Sequence, residues 1–356
     1  MDRLTVDVYE TRAAEWAARR PAKRRDAARA FAATVGSGDV RVDVGCGAGA
    51  YLADIGAPAV AFDAAYAMVE LAREAAPGAW PVQGDLEALP FRAGSLGGAW
   101  ARASYLHVPC DRLPLALGQL HQSLTLDAPV AITVKRGASA WGALAQDDFE
   151  GRRFGHWEPG HLVDVVAGAG FEIDATDADA DWIAVRGRRG RLLPDTVAAG
   201  MRLLVCGLNP SVYTADAGVG YARPGNRFWP AALASGLVTV DRDPLAALSD
   251  HGVGMTNLVL RATPRADELS AAEYREGVTR VERLVRWLAP GALCVVGITG
   301  WRHAVDRRAQ LGEQPELLGD RPVYVMPNTS GLNAHATPAD YERHLRAGIA
   351  LAARAA

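Results

Sequence analysis

The sequence predicts two doubly wound, three-layer α/β/α domains in tandem, and three observations carry that expectation. At 356 residues the chain is longer than one hydrophobic core ordinarily organises. Short apolar runs alternate with helical patterns in two separate series, the mark of α/β units built on parallel sheets. Each series opens with an apolar strand that runs directly into a loop rich in special residues, the place where open α/β sheets bind ligands.

Taken in order, strands are expected near 40–45, 59–63, 97–101, 129–134, 171–176 and 182–186, with one more short strand before Asp85. A second series follows near 202–207, 252–258, 291–296 and 322–326. Between the series lies "RGRRGRLLPDTVAAG", basic at first, then carrying Pro194 and a short helical pattern, which places the boundary near 190. The expected division is a first domain over 1–188, a linker with a lead-in over 189–200, and a second domain over 201–356.

Composition sets the broad class. Hydrophobic residues make up 49% and charged residues 22%, so both halves contain enough apolar surface to fold. The net charge of -3 provides no global attraction to nucleic acid. Its distribution is uneven: the first 190 residues hold 20 basic against 25 acidic side chains, and the rest 18 against 16. Cys46, Cys110, Cys206 and Cys294 form no CxxC pair, so neither a zinc site nor a disulfide framework is expected. No apolar run reaches the roughly 18 residues a bilayer span needs, and no leader is apparent, so a soluble, cytoplasmic protein without membrane contact is expected.

The first chemical signal is "VRVDVGCGAGAYL" at 40–52, a buried strand that leads into Gly45, Gly47 and Gly49. Glycines there let the backbone turn tightly and approach a ligand where a Cβ would intrude. Asp43 lies near the strand's end. The next strand, "AVAFD", ends at Asp63, about 18 residues after Gly45, where a carboxylate can take both hydroxyls of a ribose. In "VQGDLEALPF", Asp85 is placed to accept from an exocyclic amine such as that of adenine. Any one of these acids alone reads equally well as a helix cap or turn; three in register point to a nucleoside cofactor.

With "VDVGCGAG", "AFDAAYAMVELARE" and "GDLEALPF", residues 10–188 resemble the class I S-adenosylmethionine-dependent methyltransferases. The resemblance implies a Rossmann-like fold with S-adenosylmethionine as cofactor. It further implies that Gly45, Gly47 and Gly49 surround the methionine and ribose, that Asp63 binds the ribose hydroxyls, that Asp85 with Leu86 flanks the adenine, and that Asp43 is a further cofactor-binding residue. The methyl acceptor is not legible. Pro109-Cys110 invites comparison with the nucleophile of cytosine-5 methyltransferases, but their Glu-Asn-Val motif and target-recognition region are missing, so "LHVPC" is read as a packing loop. His107 is read as a polar lid, and His156 and His161 as surface or cap residues.

In the second series, "MRLLVCGLNPS" is a strand running into Asn209, and Tyr221 follows twelve residues later across a loop containing Gly218 and Gly220. A carboxamide at a strand end and a ring across a loop form a slot for a flat heterocycle. Further on, "VYVMPNTSGLNAH" is again a strand and a polar loop, with Leu332 at its tip. An isolated leucine there is most simply a packing residue, yet a slot that takes a base out of a duplex also needs a wedge to fill the stack.

"GLNPS", "YARPGNRFW" and "PNTSGLN" are similar to the motifs of the mismatch-specific uracil/thymine branch of the uracil-DNA glycosylase superfamily, across residues 191–356. The resemblance implies a fold with a short, mainly parallel sheet, and double-stranded DNA with mismatched or damaged pyrimidines as partner. It makes Asn209 the residue that positions the attacking water and Tyr221 the stacking ring, with the backbone near Leu208 and Tyr221 reading the base edge. Asn328, Ser330 and Gly331 would approach the strand, Leu332 would enter the vacated gap, and Arg223 and Arg227 would meet phosphates. No metal and no further cofactor is implied for this half. Thr329, Ala334 and Tyr221 depart from the commonest residues of those motifs, which bears on opposite-base preference. Two alternatives stay open: a small-molecule methyltransferase whose second domain only tethers it to DNA, and a single nucleic-acid methyltransferase whose second half flips bases for the first.

Overall fold

Strands that are buried on both faces need helices on both sides, and the order in which this chain lays them down fixes where each sheet can hold a ligand. A computed structural model describes residues 1–355 and divides them into two units, Met1–Gly190 and Arg191–Ala356. Each is an α/β unit with an open sheet.

The first unit contains β1 (Arg41–Val44), β2 (Ala59–Asp63), β3 (Trp80–Gln83), β4 (Gly98–Arg102), β5 (Pro129–Arg136), β6 (Ala140–Ala143), β7 (Arg153–Trp157), β8 (Phe171–Ala178) and β9 (Trp182–Arg189). The order β3-β2-β1-β4-β5 is parallel throughout. β5 then pairs antiparallel with β9 along most of its length and parallel with β7 at its last two residues, while β8 closes on β9 and β6 on β7 as antiparallel pairs. From β1 the chain winds outward through β2 and β3, then returns to place β4 on the other side. The crevice beyond the carboxyl ends of β1 and β4 is therefore the switch point where such sheets bind ligands.

The second unit contains β10 (Leu203–Gly207), β11 (Val253–Asn257), β12 (Ala292–Val296), β13 (Gly312–Glu313) and β14 (Val323–Met326), in the order β11-β10-β12-β14-β13. Only β13 runs antiparallel. β10, β11 and β12 are buried along their whole length, and their inward side chains join Phe228, Trp229, Tyr341 and Leu345 in one core. The helix Ala271–Leu288 begins at a capping box of Ser270 and Glu273 and buries Tyr274, Val278, Val281, Leu284, Val285 and Leu288 at helical spacing. Here too β10 is flanked on both sides, so the loop after Gly207 opens at a switch point.

The expected strands are all present, within a residue or two at most ends. The hairpin of β6 and β7 was not anticipated, because "AWGA" is short and half exposed and "RFGHW" interrupts its apolar alternation with Gly155 and His156. The two-residue β13 carries no periodicity at all. Of the segment expected as linker, residues from 191 onward are built into the second unit: Thr196 exchanges both backbone hydrogen bonds with Met255, and Leu192, Leu193 and Val197 are buried. All four cysteines are free and buried. No helix among the described residues is long and apolar enough to cross a membrane.

Candidate functional sites

The first cavity, about 420 Å³, opens at the carboxyl ends of β1 and β4, within the ~300–1,000 Å³ range of small-ligand pockets. Asp43, Gly45, Gly47, Asp63 and Leu86 all line it. Gly45 has φ +72°, and a Cβ there would lie 2.3 Å from the Ser104 Cβ, so both conformation and space require glycine. Asp63 accepts hydrogen bonds from the Gly47 amide at 2.9 Å and the Ala65 amide at 3.0 Å, which ties the glycine loop to the end of β2. Burial raises the Asp63 carboxyl above its ordinary value despite those amides. Asp43 is 2% exposed, and its Oδ2 has no hydrogen-bond partner. Burial, with the Asp63 charge second, pushes its carboxyl up to about 8.

Two expected cofactor residues lie elsewhere. Gly49 faces away from the cavity and lets the loop pack on the helix Tyr66–Ala75, where a Cβ would come within 3.0 Å of the Ala72 Cα. The Asp85 carboxylate accepts from the Met1 ammonium at 2.7 Å and from the Glu87 amide at 2.9 Å, so it is occupied locally while Leu86 forms the wall. His107 is no exposed lid. It is 4% exposed, donates from Nδ1 to the Arg153 carbonyl at 2.7 Å and accepts at Nε2 from the Tyr9 hydroxyl at 2.8 Å. Burial lowers its pKa to about 4, so it stays neutral. Cys110 is buried, with its thiol pushed up to about 11 by burial, which leaves no thiolate nucleophile at neutral pH.

Several wall residues carry no motif and were not anticipated. Arg152 donates to Tyr9 at 3.0 Å and is bound twice by Asp147, a buried pair beside the Phe149 and Phe154 rings. Arg102, Lys135 and Trp182 form another side of the same cavity. The signal that might have found them is positional: Arg102 and Lys135 are charged residues at or near the carboxyl ends of otherwise apolar central strands.

The second cavity, about 190 Å³, opens beyond β10 and β11 and is sized for one ring system rather than a whole nucleotide. Leu208, Asn209, Tyr221, Arg223, Asn328 and Ser330 line it, so all three loop motifs converge there. Asn209 Nδ2 donates to Thr263 Oγ1 at 2.7 Å and to the Pro210 and Arg261 carbonyls, each at 3.2 Å. Thr263 Oγ1 itself donates to the Arg265 carbonyl at 2.8 Å, so it can only accept from Asn209. With three acceptors around the nitrogen, the carboxamide oxygen is the end left for a ligand.

Tyr221 sits at φ +58°, a left-handed conformation that a side-chain-bearing residue adopts only where its surroundings impose it. Trp229 Nε1 donates to the Gly220 carbonyl at 2.8 Å and pins the approach, and the Tyr221 ring stacks on Phe228 with centroids 4.2 Å apart. Asn257, at the end of β11, also lines the cavity and went unforeseen; a Cβ on Gly207 would meet its Oδ1 at 2.5 Å. Its signal was again a polar residue closing an apolar strand, "VGMTN". Behind it Arg280 and Asp195 form a buried ion pair at 2.7 Å, and Arg280 also donates to Thr256 Oγ1 at 2.8 Å and to the Asn257 carbonyl at 2.9 Å.

Leu332 stands at its loop tip 88% exposed, the largest exposure among the large apolar side chains of the described residues. Gly331 lies against the Gly225 carbonyl, which a Cβ would meet at 2.8 Å, so the Leu332 loop and the "RPGNR" loop are packed together. Arg227 differs from expectation: its Nη1 donates to the Asn333 and Ala336 carbonyls, bracing the Leu332 loop, and only Arg223 of the pair is exposed at the cavity.

Two family models match separate stretches of the chain. Residues 194–347 match the family model of the Uracil DNA glycosylase superfamily, and residues 42–131 match that of the Methyltransferase domain. Similar solved structures include an S-adenosylmethionine dependent methyltransferase from Mesorhizobium loti, 20% identical, with 46% of this chain and 96% of that one covered at a TM-score of 0.39. Another is the CcbJ methyltransferase from Streptomyces caelestis, 17% identical, with 48% and 91% covered at a TM-score of 0.40.

Proposed function

We propose that this chain, a methyltransferase domain followed by a domain of the uracil DNA glycosylase superfamily, hydrolyses the N-glycosidic bond of uracil, thymine or damaged pyrimidines opposite guanine in duplex DNA. The observation that carries the reading is the anchoring of Asn209, which lines a one-ring slot, by three acceptors around its nitrogen, which leaves its carboxamide oxygen as the end for a ligand. That oxygen would hold a water below the deoxyribose. The water oxygen bonds to the anomeric carbon as the bond to the base nitrogen breaks, the electron pair leaves with the base, and the water's proton ends on the base. A carboxamide orients water but takes a proton poorly, so turnover depends on the leaving group, and uracil should outrun thymine. Tyr221 would stack on the flipped base, with Leu208 and Asn257 beside its edge. The test is incubation of the purified chain with duplexes carrying G·U, G·T and G·ethenocytosine, followed by alkaline cleavage. Release from none of them would sink the reading and leave a DNA-tethering role.

The exposed Leu332 would fill the vacated stack. Leu332→Ala is expected to slow uracil release from a G·U duplex by about tenfold or more, since unstacking a step costs a few kcal/mol, while release from single-stranded DNA stays within about twofold. Equal losses on both substrates would count against a wedge.

In the first domain the reading is methyl transfer from S-adenosylmethionine. The fit rests on a glycine loop whose Gly45 leaves no space for a Cβ and on an orphaned buried carboxyl oxygen of Asp43 facing a cavity of suitable size. When bound, the cofactor supplies a methyl carbon activated by its sulfonium. Asp63, Gly45, Gly47 and Leu86 would hold its nucleoside end, and Asp43 its cationic amine. A pH signature follows. Without ligand, Asp43 carries a proton below about 8, and a bound cation favours the ionised form. Affinity for S-adenosylhomocysteine should therefore rise by close to tenfold per pH unit from pH 6 to 7.5, with a proton released on binding. The unliganded domain loses stability as pH rises through the same range, and the ligand restores it. Titration calorimetry across pH checks this, and Asp43→Asn should flatten the slope.

A further inference from the structure

Only two of the 38 basic residues are lysines, Lys23 and Lys135, and both line the first cavity. Lys135 lies near the carboxyl end of β5, directly opposite Trp182 in the antiparallel register with β9. Its ammonium stands 4.9 Å from the centre of the Trp182 ring, and the Arg102 guanidinium, from the end of the neighbouring β4, stands 5.6 Å from the same centre. Arg102 Nε donates to the Tyr51 hydroxyl at 2.8 Å, which fixes the guanidinium plane and leaves its terminal nitrogens free to bind.

Three arginines lining this cavity are neutralised within the protein, and Lys23 is exposed to solvent rather than half-buried. Arg152 is paired with Asp147, Arg20 with Asp148 and Arg19 with Glu15. Among the described residues neither Arg102 nor Lys135 has a carboxylate partner, although both are half-buried beside an aromatic ring that offers them only a weak attraction. Two cations beside one ring, without counter-charge inside a cavity, are stabilised when an acid group with two or more oxygens binds them.

We propose that the methyl acceptor is a small molecule carrying a carboxylate or phosphate, seated on Arg102 and Lys135 beside Trp182. This rests on the methyltransferase reading above. The acid group serves as an anchor rather than as the methylated atom, because two cations draw electron density from its oxygens and weaken any attack by them on a sulfonium. The methylated atom is another heteroatom of the same molecule. Its lone pair forms the new bond to the methyl carbon while the carbon–sulfur pair stays on sulfur, and its own proton passes to solvent.

The test uses the full chain at low ionic strength in Tris chloride, first loaded with S-adenosylhomocysteine, then titrated calorimetrically with benzoate, inorganic phosphate and the neutral benzamide. Benzoate or phosphate should bind at least about tenfold tighter than benzamide, the stronger of the two identifying the acid. Lys135→Met should abolish that preference while S-adenosylhomocysteine affinity changes less than about threefold, and Arg102→Gln is read the same way should Lys135→Met fail to fold. Binding of both benzoate and phosphate no tighter than that of benzamide overturns the proposal. So does loss of nucleoside affinity in a folded Lys135→Met protein, which would assign the pair to the cofactor's own carboxylate. Failure of the wild-type chain to bind S-adenosylhomocysteine is a separate result, which would instead sink the methyltransferase reading.

Discussion

Asn209→Ala should leave a protein that still binds a G·U duplex, with affinity within about twofold of the parent, but releases uracil at least ~10²-fold more slowly under single-turnover conditions. The size of the effect follows from the carboxamide having no substitute. Thr263, its nearest neighbour in the slot, spends its hydroxyl proton on the Arg265 carbonyl, and its oxygen receives Asn209 Nδ2. Without the side chain, the acceptors left beside it are the Thr263 oxygen and the Pro210 and Arg261 carbonyls, which held its nitrogen and not the place of its oxygen. Binding would be spared because, on the proposed reading, strand contacts come from Arg223 and the loop carrying Leu332. Anisotropy measurements beside the cleavage assay separate the two quantities. Unchanged release would remove Asn209 from the chemistry, and lost binding would make it a scaffold residue.

The largest stability change is expected at Arg280. Its guanidinium is 10% exposed and the Asp195 carboxylate 3%, and together they bind Thr256 and the Asn257 carbonyl. Arg280→Met strips the counter-charge from a buried carboxylate, a change that typically costs about 3–5 kcal/mol, against a total domain stability of ~5–15 kcal/mol. Because the pair lies wholly in the second unit, chemical denaturation should lower the midpoint of that unit's transition and leave the first unit's in place. The companion change Asp195→Asn, made in the Arg280→Met background, should recover part of the loss by removing the stranded charge. A shift below about 1 kcal/mol would mean that water reaches the pair.

How far these features could be read in advance depended on whether they are local. The glycine loop, Asp63, Asn209, Tyr221 and Leu332 are each announced by a strand, a turn and a fixed spacing; the structure brings Gly45, Gly47, Asp63, Asn209 and Tyr221 to two switch points and leaves Leu332 exposed outside the lining of the second cavity. Asp85 and Gly49 share a motif with the residues that line the cavity but are diverted by neighbours no spacing reveals, the chain's own ammonium and the helix Tyr66–Ala75. Asn257, Arg102 and Lys135 are ordinary residues made special by register between strands far apart in sequence, and Thr263 and Arg280 by a loop and a helix that pack beside those strands. Gly207 and Asn257 sit side by side because β10 and β11 pair in register, a relation that appears only when the sheet is assembled. Arg227 shows the limit for charge: an exposed cation and a loop brace look the same in a sequence, and only the carbonyls around it decide.

The Tyr221 ring already rests on Phe228, which is itself fully buried. An arriving heterocycle would therefore be the third layer of an existing pile, and no rotamer has to be frozen at the moment it lands. Such a platform welcomes any flat molecule alike, since every base has a π-face. If the proposed function holds, discrimination would fall on the two carboxamides that line the slot, Asn209 and Asn257, and on how readily each pair opens, a tolerant receiver behind a selective door.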